Sequence, residues 1–529
     1  MLGGLSLSFN LLVLGLAWWR RVAMTWYGHR LIIFGFLPQI SKTRAVAVGV
    51  SVQQSRGLGE QARSAKIDDL AAFRCVFYDC LTLRADALFE LTDAVLCADG
   101  PVTTLVGLSL AAEHRRGHGG LYDGLGSGRI EVGRLRRSLA NLPVPRDAQG
   151  RITLAVDVSP WLRPDAATCP DRSFCHVYGR GKGQAQMIPG WPYSFVAALE
   201  PGRTSWTALL DVVRLGPGDD ATTVTATQLR EVVQRLQQAG QHKPGDTDIL
   251  IVFDAGYDVT RLAFLLADLP VELLGRLRSD RVFSFPPPPR APSATGRPSK
   301  HGPEFALAQT TTQPKPDAIT LTDTSRYGTA RTCAWNRLHP RLTHRAAWES
   351  HQGPLPIIEG SIIRLQVDRL PGDRSPKPVW LWYSRPEVNN FDLNRLWRAF
   401  LRRFDLEHTF RFLKQTLGWT RPRIRTPDQG ERWTWIIVAA HTQLRLARHL
   451  TRDLRRPWEK PATEPHRLTP ARIRRGFRNL RPKTALPASA PKPSRPGPGR
   501  PPGSKNRKPA RRHDVGKNTT MSTNNVKTG

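Results

Sequence analysis

This chain of 529 residues has little cysteine, a deficit of acidic side chains and no long apolar run. Its six cysteines contain no Cys-x-x-Cys pair, too few for a disulfide scaffold, which points to a reducing, cytoplasmic compartment. Cys169, Cys175 and His176 form the one local group of metal-ligand types. A structural zinc site wants about four ligands and the second pair is missing, so buried or loop cysteines are the plainer reading. The apolar runs Leu11–Trp19 and Leu31–Leu37 both fall short of the roughly 18 residues a membrane helix needs. Arg20 and Arg21 follow the first run, whereas a secretory signal places positive charge before it, so residues 1–56 read as an apolar, irregular extension. Asp and Glu number 44 against 78 Lys and Arg, a net charge of +34. Between Pro465 and Gly529, 17 Lys and Arg face a single acid, Asp514, so that tail carries +16 and the rest of the chain +18. Both parts suit a polyanionic partner: nucleic acid first, an anionic membrane surface second.

With 40% hydrophobic residues and a length of several domains at roughly 150 residues each, the chain can bury sizeable cores. Residues 57–145 read as a small helical domain. Leu81–Leu96 and Val102–His114 carry apolar residues at helical spacing, and a Gly-rich turn then leads to Ile130–Ala140 with Arg134, Arg136 and Arg137. A turn followed by a basic helix suits a helix-turn-helix-like DNA reader, and equally a helical domain with a solvated basic face. The pattern changes at Arg151. Ile152–Val158, Ser194–Leu199 and Trp206–Val213 read as strands, Thr222–Ala239 as a helix, Ile249–Phe253 as a very apolar strand, Val259–Leu266 as a helix and Val271–Leu277 as a strand. That order, across residues 150–285, matches the first part of a ribonuclease-H-like α/β domain. Residues 286–392 lean to β structure (Arg331–Leu338, Ile357–Val367, Val379–Tyr383) and read as an insertion. Residues 393–464 hold a long helix, Leu393–Leu417, and a second one from Glu431 to His449. Residues 465–529 keep Arg-rich helical character to Leu480 and then become Pro/Gly/Lys/Arg-rich, a largely disordered basic tail by composition.

Three carboxylates stand out. Asp157 lies within the strand Leu154-Ala-Val-Asp-Val158, and Asp254 closes Ile249-Leu-Ile-Val-Phe-Asp254. An Asp among strand aliphatics is costly unless paired, hydrogen-bonded or metal-bound, although a strand-end Asp also commonly caps the next helix. Two such residues on one sheet can converge on a divalent cation, which prefers carboxylate oxygens. The third is Glu407. On a regular helix Phe400, Arg403, Glu407 and Lys414 share an arc of about 60°, a carboxylate flanked by cations on an otherwise apolar helix.

These residues resemble a known family. The chain is similar to bacterial insertion-sequence transposases of the DDE class, in the branch with a Tyr-x2-Arg-x3-Glu-x6-Lys helix. It reads Phe400-x2-Arg403-x3-Glu407-x6-Lys414, with Phe400 in place of the Tyr. The family's second Asp commonly sits in Asp-x-Gly-Tyr/Phe, matched by Asp254-Ala255-Gly256-Tyr257. The 152 residues between Asp254 and Glu407 suit a branch that inserts β structure before the catalytic Glu. The resemblance implies catalysis by Asp157, Asp254 and Glu407 holding two Mg²⁺ ions, for which Mn²⁺ can substitute. Arg403 and Lys414 would bind phosphates. It further implies DNA partners (the element's inverted-repeat ends and target DNA), a homodimer in a synaptic complex, no membrane role and a cytoplasmic, nucleoid-associated location. Relatives that form DNA hairpins stack a flipped base on a Trp, and Trp335, Trp380 and Trp382 lie in the insertion, where a core role is the simpler expectation. In the tail, Pro498-Gly499-Arg500-Pro501-Pro502 resembles an AT-hook core, which makes Arg500 a candidate DNA contact. Gly179-Arg-Gly-Lys-Gly183 lacks the spacing of a nucleotide-binding loop and reads as a basic loop. Two other functions fit the same residues: a non-catalytic DNA-binding protein derived from a transposase, and a metal-dependent DNA nuclease.

Overall fold

The computed structural model of the chain describes residues 43–177, 186–202, 204–290, 292, 295–349, 351–370, 376–462, 468–492, 501–505 and 508–518. The chain divides into two units, residues 1–62 and 63–529. Helix α1 (Thr43–Asp79) begins in the first and ends in the second. Its last turns bury Leu70, Phe73 and Phe77 in a core shared with α2 (Ala85–Cys97). Strand β1 (Leu81–Leu83), the short helices α3 (Leu105–Ser109) and α4 (His118–Ser127), strand β2 (Arg129–Ile130) and helix α5 (Val132–Asn141) complete the helical region. The basic face of α5 is spent on ion pairs within the protein. Arg136 lies 2.8 Å from the fully buried Asp211, Arg134 pairs with Asp79 and Arg137 with Glu131.

The strands β3 (Thr153–Leu162), β4 (Ser173–Val177), β5 (Gln186–Leu199) and β6 (Thr207–Arg214) are antiparallel neighbours, with β4 and β6 both pairing to the long β5. Helix α6 (Ala221–Gln238), capped by Asp220, leads to β7 (Ile249–Phe253), α7 (Val259–Leu265) and β8 (Val271–Leu277). All five β7 residues are buried, as expected for an aliphatic strand covered on both faces. It pairs in parallel with β3 on one side and β8 on the other. The strand order through this region is therefore β6-β5-β3-β7-β8.

Beyond β8 lie a small ribbon, β9 (Val282–Ser284) with β10 (Glu304–Ala306), and four longer strands: β11 (Ala318–Thr324), β12 (Gly328–Leu338), β13 (Gly360–Val367) and β14 (Val379–Tyr383). The last four extend the main sheet. β14 pairs antiparallel with β8, bringing Trp382 opposite Gly275, so the described residues form one mixed ten-stranded sheet.

The helix expected over Leu393–Leu417 is two helices, α8 (Asn390–Arg402) and α9 (Phe404–Gln415). Around Arg403 the backbone tightens to i,i+3 hydrogen bonds, Arg403 N–H to the Phe400 carbonyl and Leu406 N–H to the Arg403 carbonyl, and these interrupt the regular α pattern. Helix α10 (Pro427–Leu446) starts at a Thr426 cap with Pro at its first position. The stretch from residue 465 is not all tail: α11 (Pro470–Leu480) buries Ile473 and Phe477, and buried Arg474 donates to the carbonyls of Val95 and Gly100. Apolar residues at helical spacing outweigh the local basic composition there. Among the described residues no helix is long and apolar enough to cross a membrane.

Candidate active site

Strand alternation sets the site. On β3, Leu154 and Val156 face the α6–α7 core, as do Ile251 and Phe253 of β7. Ala155 and Val252 face the other way, toward the helices that contribute Leu406, Phe410, Leu396 and Phe400. Asp157 follows that second alternation and points at α8 and α9. Because Val156 lies opposite Phe253 in the parallel ladder, the next residues, Asp157 and Asp254, are neighbours across it. The same ladder logic puts Arg276 beside Asp254, since Phe253 lies opposite Gly275.

All three expected carboxylates meet one side chain. The Arg403 guanidinium lies 2.9 Å from Asp157 Oδ2, 3.5 Å from Asp254 Oδ2 and 3.1 Å from Glu407 Oε1. It is only 4% exposed, whereas Asp157, Asp254 and Glu407 are 20%, 36% and 43% exposed. Arg403, expected as a phosphate contact, sits at the centre of the acids. The acids are incompletely satisfied. Among the described residues Asp254 Oδ1 is buried with no hydrogen bond, and its nearest cation is Arg276 at 3.7 Å. Asp157 Oδ1 accepts only from the Val158 N–H, at 2.8 Å. Burial pushes the Asp157 carboxyl up to about 6, with Asp254 and Glu407 adding to the rise and Arg403 opposing it.

Lys414, two turns along from Glu407, is half-buried, with its ammonium 5.8 Å from the Trp419 ring centre. Burial lowers its pKa, while Asp157 and Cys175 nearby pull it back up. Phe400 is buried among Leu393, Leu396 and Val252, an environment suited to an unsubstituted ring. His408 faces away from Glu407, into a cleft of about 1180 Å³ lined also by Thr153, Leu250 and Arg398, at the opposite ends of β3 and β7 from the acids. Trp335, Trp380 and Trp382 are core residues. Phe305 packs against the first two and Trp382 is fully buried, so none offers a free face to a base. Cys169 and Cys175 are buried, and His176 is exposed. Arg500 and the 179–183 loop lie outside the described residues.

Of two further neighbours of the acids, Arg276 had no signal in the sequence, and Tyr257 entered it only as the last residue of the Asp-x-Gly-Tyr motif. Arg276 reaches Asp254 only through strand register. Tyr257 lies close enough that Asp157, Arg403 and Asp254 all perturb its hydroxyl, whose pKa burial drives well above the ordinary tyrosine value.

Three hard oxygen donors on two strands and a helix suit a divalent cation in chemistry, and the bare Asp254 oxygen is an acceptor in want of one. Among the described residues, however, no three His, Cys, Asp or Glu side chains lie close enough together to ligate one ion; the three acids are held apart around Arg403. A comparison with curated proteins finds no match. Residues 76–341 match the DDE superfamily endonuclease family, a span just over half of the chain that takes in Asp157 and Asp254 and ends before Glu407. With that span matched and an acid-rich site on its central strands, the chain belongs to the DDE superfamily endonucleases.

Proposed function

We propose that this protein is a DNA transposase, with Asp157, Asp254 and Glu407 as its catalytic carboxylates. The observation that carries the proposal is their convergence on one point from β3, the end of β7 and α9, across 250 residues of sequence. The strand order β6-β5-β3-β7-β8, three antiparallel strands continued by parallel ones, supports a ribonuclease-H-like catalytic domain, with residues 286–392 inserted before the catalytic helix.

Asp157, Asp254 and Glu407 would hold two Mg²⁺ ions, or Mn²⁺ in their place, and these would supply Lewis-acid stabilisation of the attacking and leaving oxygens in an in-line phosphoryl displacement. The protein's own part is positional. Asp157 is fixed by its strand and accepts from the Val158 N–H at one oxygen and from Arg403 at the other, so the aim of its carboxylate is set. Glu407, the most exposed of the three, stands on the side open to a DNA strand. Arg403 and Lys414 supply phosphate contacts, Arg with a two-pronged fork and Lys as a point charge. The overall charge of +34 favours DNA as substrate and a nucleoid location, and joining two element ends calls for a homodimer.

The test is cleavage of linear DNA that carries the gene's flanking inverted repeats, with Mg²⁺ or Mn²⁺. The wild type should nick at the repeat ends, and Asp157→Asn, Asp254→Asn and Glu407→Gln should each abolish nicking while still binding DNA. Equal cutting of unrelated DNA would indicate a general nuclease. Binding with no cleavage would indicate a non-catalytic derivative.

A further inference from the structure

We infer that Arg403 couples metal binding to DNA binding, by giving up the catalytic carboxylates only when a DNA phosphate is there to receive it. The inference rests on the proposed metal site and concerns how that site is regulated.

Four observations carry it. Arg403 contacts one oxygen of each acid, at 2.9, 3.5 and 3.1 Å, so any cation ligated by those oxygens competes with it directly. Second, with the guanidinium among them the acids stand too far apart to ligate one ion, so metal binding needs them to close as Arg403 withdraws. Third, the guanidinium cannot withdraw into water where it stands, because its side chain is 4% exposed and its Nε–H is buried without an acceptor among the described residues. A buried cation stripped of its carboxylates needs another anion. Fourth, Arg403 is the joint between α8 and α9, where the tightened turn gives the backbone a place to adjust without unpacking Phe400 or Leu406 on either side.

A phosphate oxygen accepts the planar fork of an arginine as well as a carboxylate does. DNA entering beside Glu407 therefore offers Arg403 an exchange of partners, and the freed carboxylates become available to the metal. Without DNA the same guanidinium holds the acids in a low-affinity arrangement, which guards against a charged metal site in the absence of substrate. Linkage is reciprocal, so DNA raises metal affinity by the factor by which metal raises DNA affinity.

The experiment is Mn²⁺ binding to the full chain by calorimetry, with and without a short duplex of the terminal repeat. It compares wild type, Arg403→Gln and Arg403→Lys, with Glu407→Gln as the site control. Wild type should bind Mn²⁺ weakly alone and on the order of tenfold more tightly with DNA. Arg403→Gln should bind Mn²⁺ more tightly than wild type without DNA and gain little from adding it. Arg403→Lys keeps the charge but cannot span three oxygens; it should move the same way by a smaller factor and covers the case in which the glutamine variant does not fold. Equal or weaker Mn²⁺ binding by both variants without DNA overturns the coupling. So does an equal DNA effect in variant and wild type, and in either case a metal site lost only in Glu407→Gln still stands. No Mn²⁺ bound by wild type under either condition removes the metal site and the coupling together.

Discussion

Two of the places in this molecule where arginine meets carboxylate away from water do so in opposite proportions. In the helical region two arginines share one acid. Arg74 holds both oxygens of Asp93, at 2.8 and 3.0 Å, and donates to Gln443 and the Ala485 carbonyl, while Arg481 adds a second cation to Asp93 at 2.7 Å. The Arg74 guanidinium also lies over the Phe89 ring, and neither it nor Asp93 is more than 1% exposed. In the candidate active site three acids share Arg403, with Arg276 3.7 Å from Asp254, while Asp254 Oδ1 has no hydrogen bond among the described residues and the acids open to solvent. A closed network whose carboxylate oxygens are both paired is structure, even with Gln443 Nε2 unpartnered among the described residues; an open one with surplus negative charge has capacity left for a ligand. Burial and ion pairing alone do not separate the two, whereas stoichiometry and an unmet carboxylate oxygen do.

That contrast predicts different failures. The largest effect should come from Glu407→Gln, which keeps the shape and removes a charge: repeat-end cleavage should fall by at least about 10³-fold, the scale of one preorganised electrostatic group. Its circular dichroism and melting temperature should stay close to wild type, because Glu407 is half-exposed and holds no other element in place. Arg74→Ala should do the reverse. It leaves Asp93 buried with half its partners, so chemical denaturation should register a loss of about 3–5 kcal/mol, and any activity that survives should need no more metal than wild type.

His441 gives a prediction on acid stability. It is fully buried between Trp206 and Phe412, neither ring nitrogen has a partner among the described residues, and burial with Arg445 nearby lowers its pKa to about 3. The unfolded chain takes up a proton there from about pH 6.5 downward and the folded chain does not until about pH 3. Stability should therefore fall with pH through that window, by up to about 1.4 kcal/mol per unit from this residue. His441→Phe fills a similar volume without titrating, and denaturation midpoints between pH 4 and pH 7 should show a shallower slope. An unchanged slope would mean that water reaches the ring.

The smallest effect is the most pointed. The Asp157 carboxyl is raised to about 6, so its ionised form carries a cost above that pH which the protein bears at its own site. Asp157→Asn should be inactive yet more stable than wild type at pH 8, by about 2 kcal/mol or less. The equivalent change in the closed network, Asp93→Asn, should destabilise. Stabilisation by both, or by neither, would erase the distinction between the two sites.

Much of the site was legible in the chain. Asp157 and Asp254 stand out because a carboxylate inside an aliphatic strand violates the pattern around it, and Glu407 because a charged face interrupts an apolar helix. The strands β7, β8 and β14 coincide with the runs Ile249–Phe253, Val271–Leu277 and Val379–Tyr383, since a short buried strand is bounded by its own composition. The strands β4 and β11 were not legible; β4 is held by pairing along β5, which no local pattern reveals. Helix α11 was only half visible, its basic residues pointing to a tail while Ile473 and Phe477 belong to the core.

By itself the sequence determined which residues could carry the chemistry, because hydrophobic alternation and helical period are local properties that survive without a partner. Only the tertiary structure decided that β11–β14 extend the same sheet, that Arg276 stands beside Asp254, and that Arg403 lies among the acids. Each of these depends on strand register or on where a helix docks, which are set by contacts between residues far apart in the chain. A helical wheel places Arg403 and Glu407 on one face. Packing of α8 and α9 against the sheet turned that shared face into an ion-paired centre.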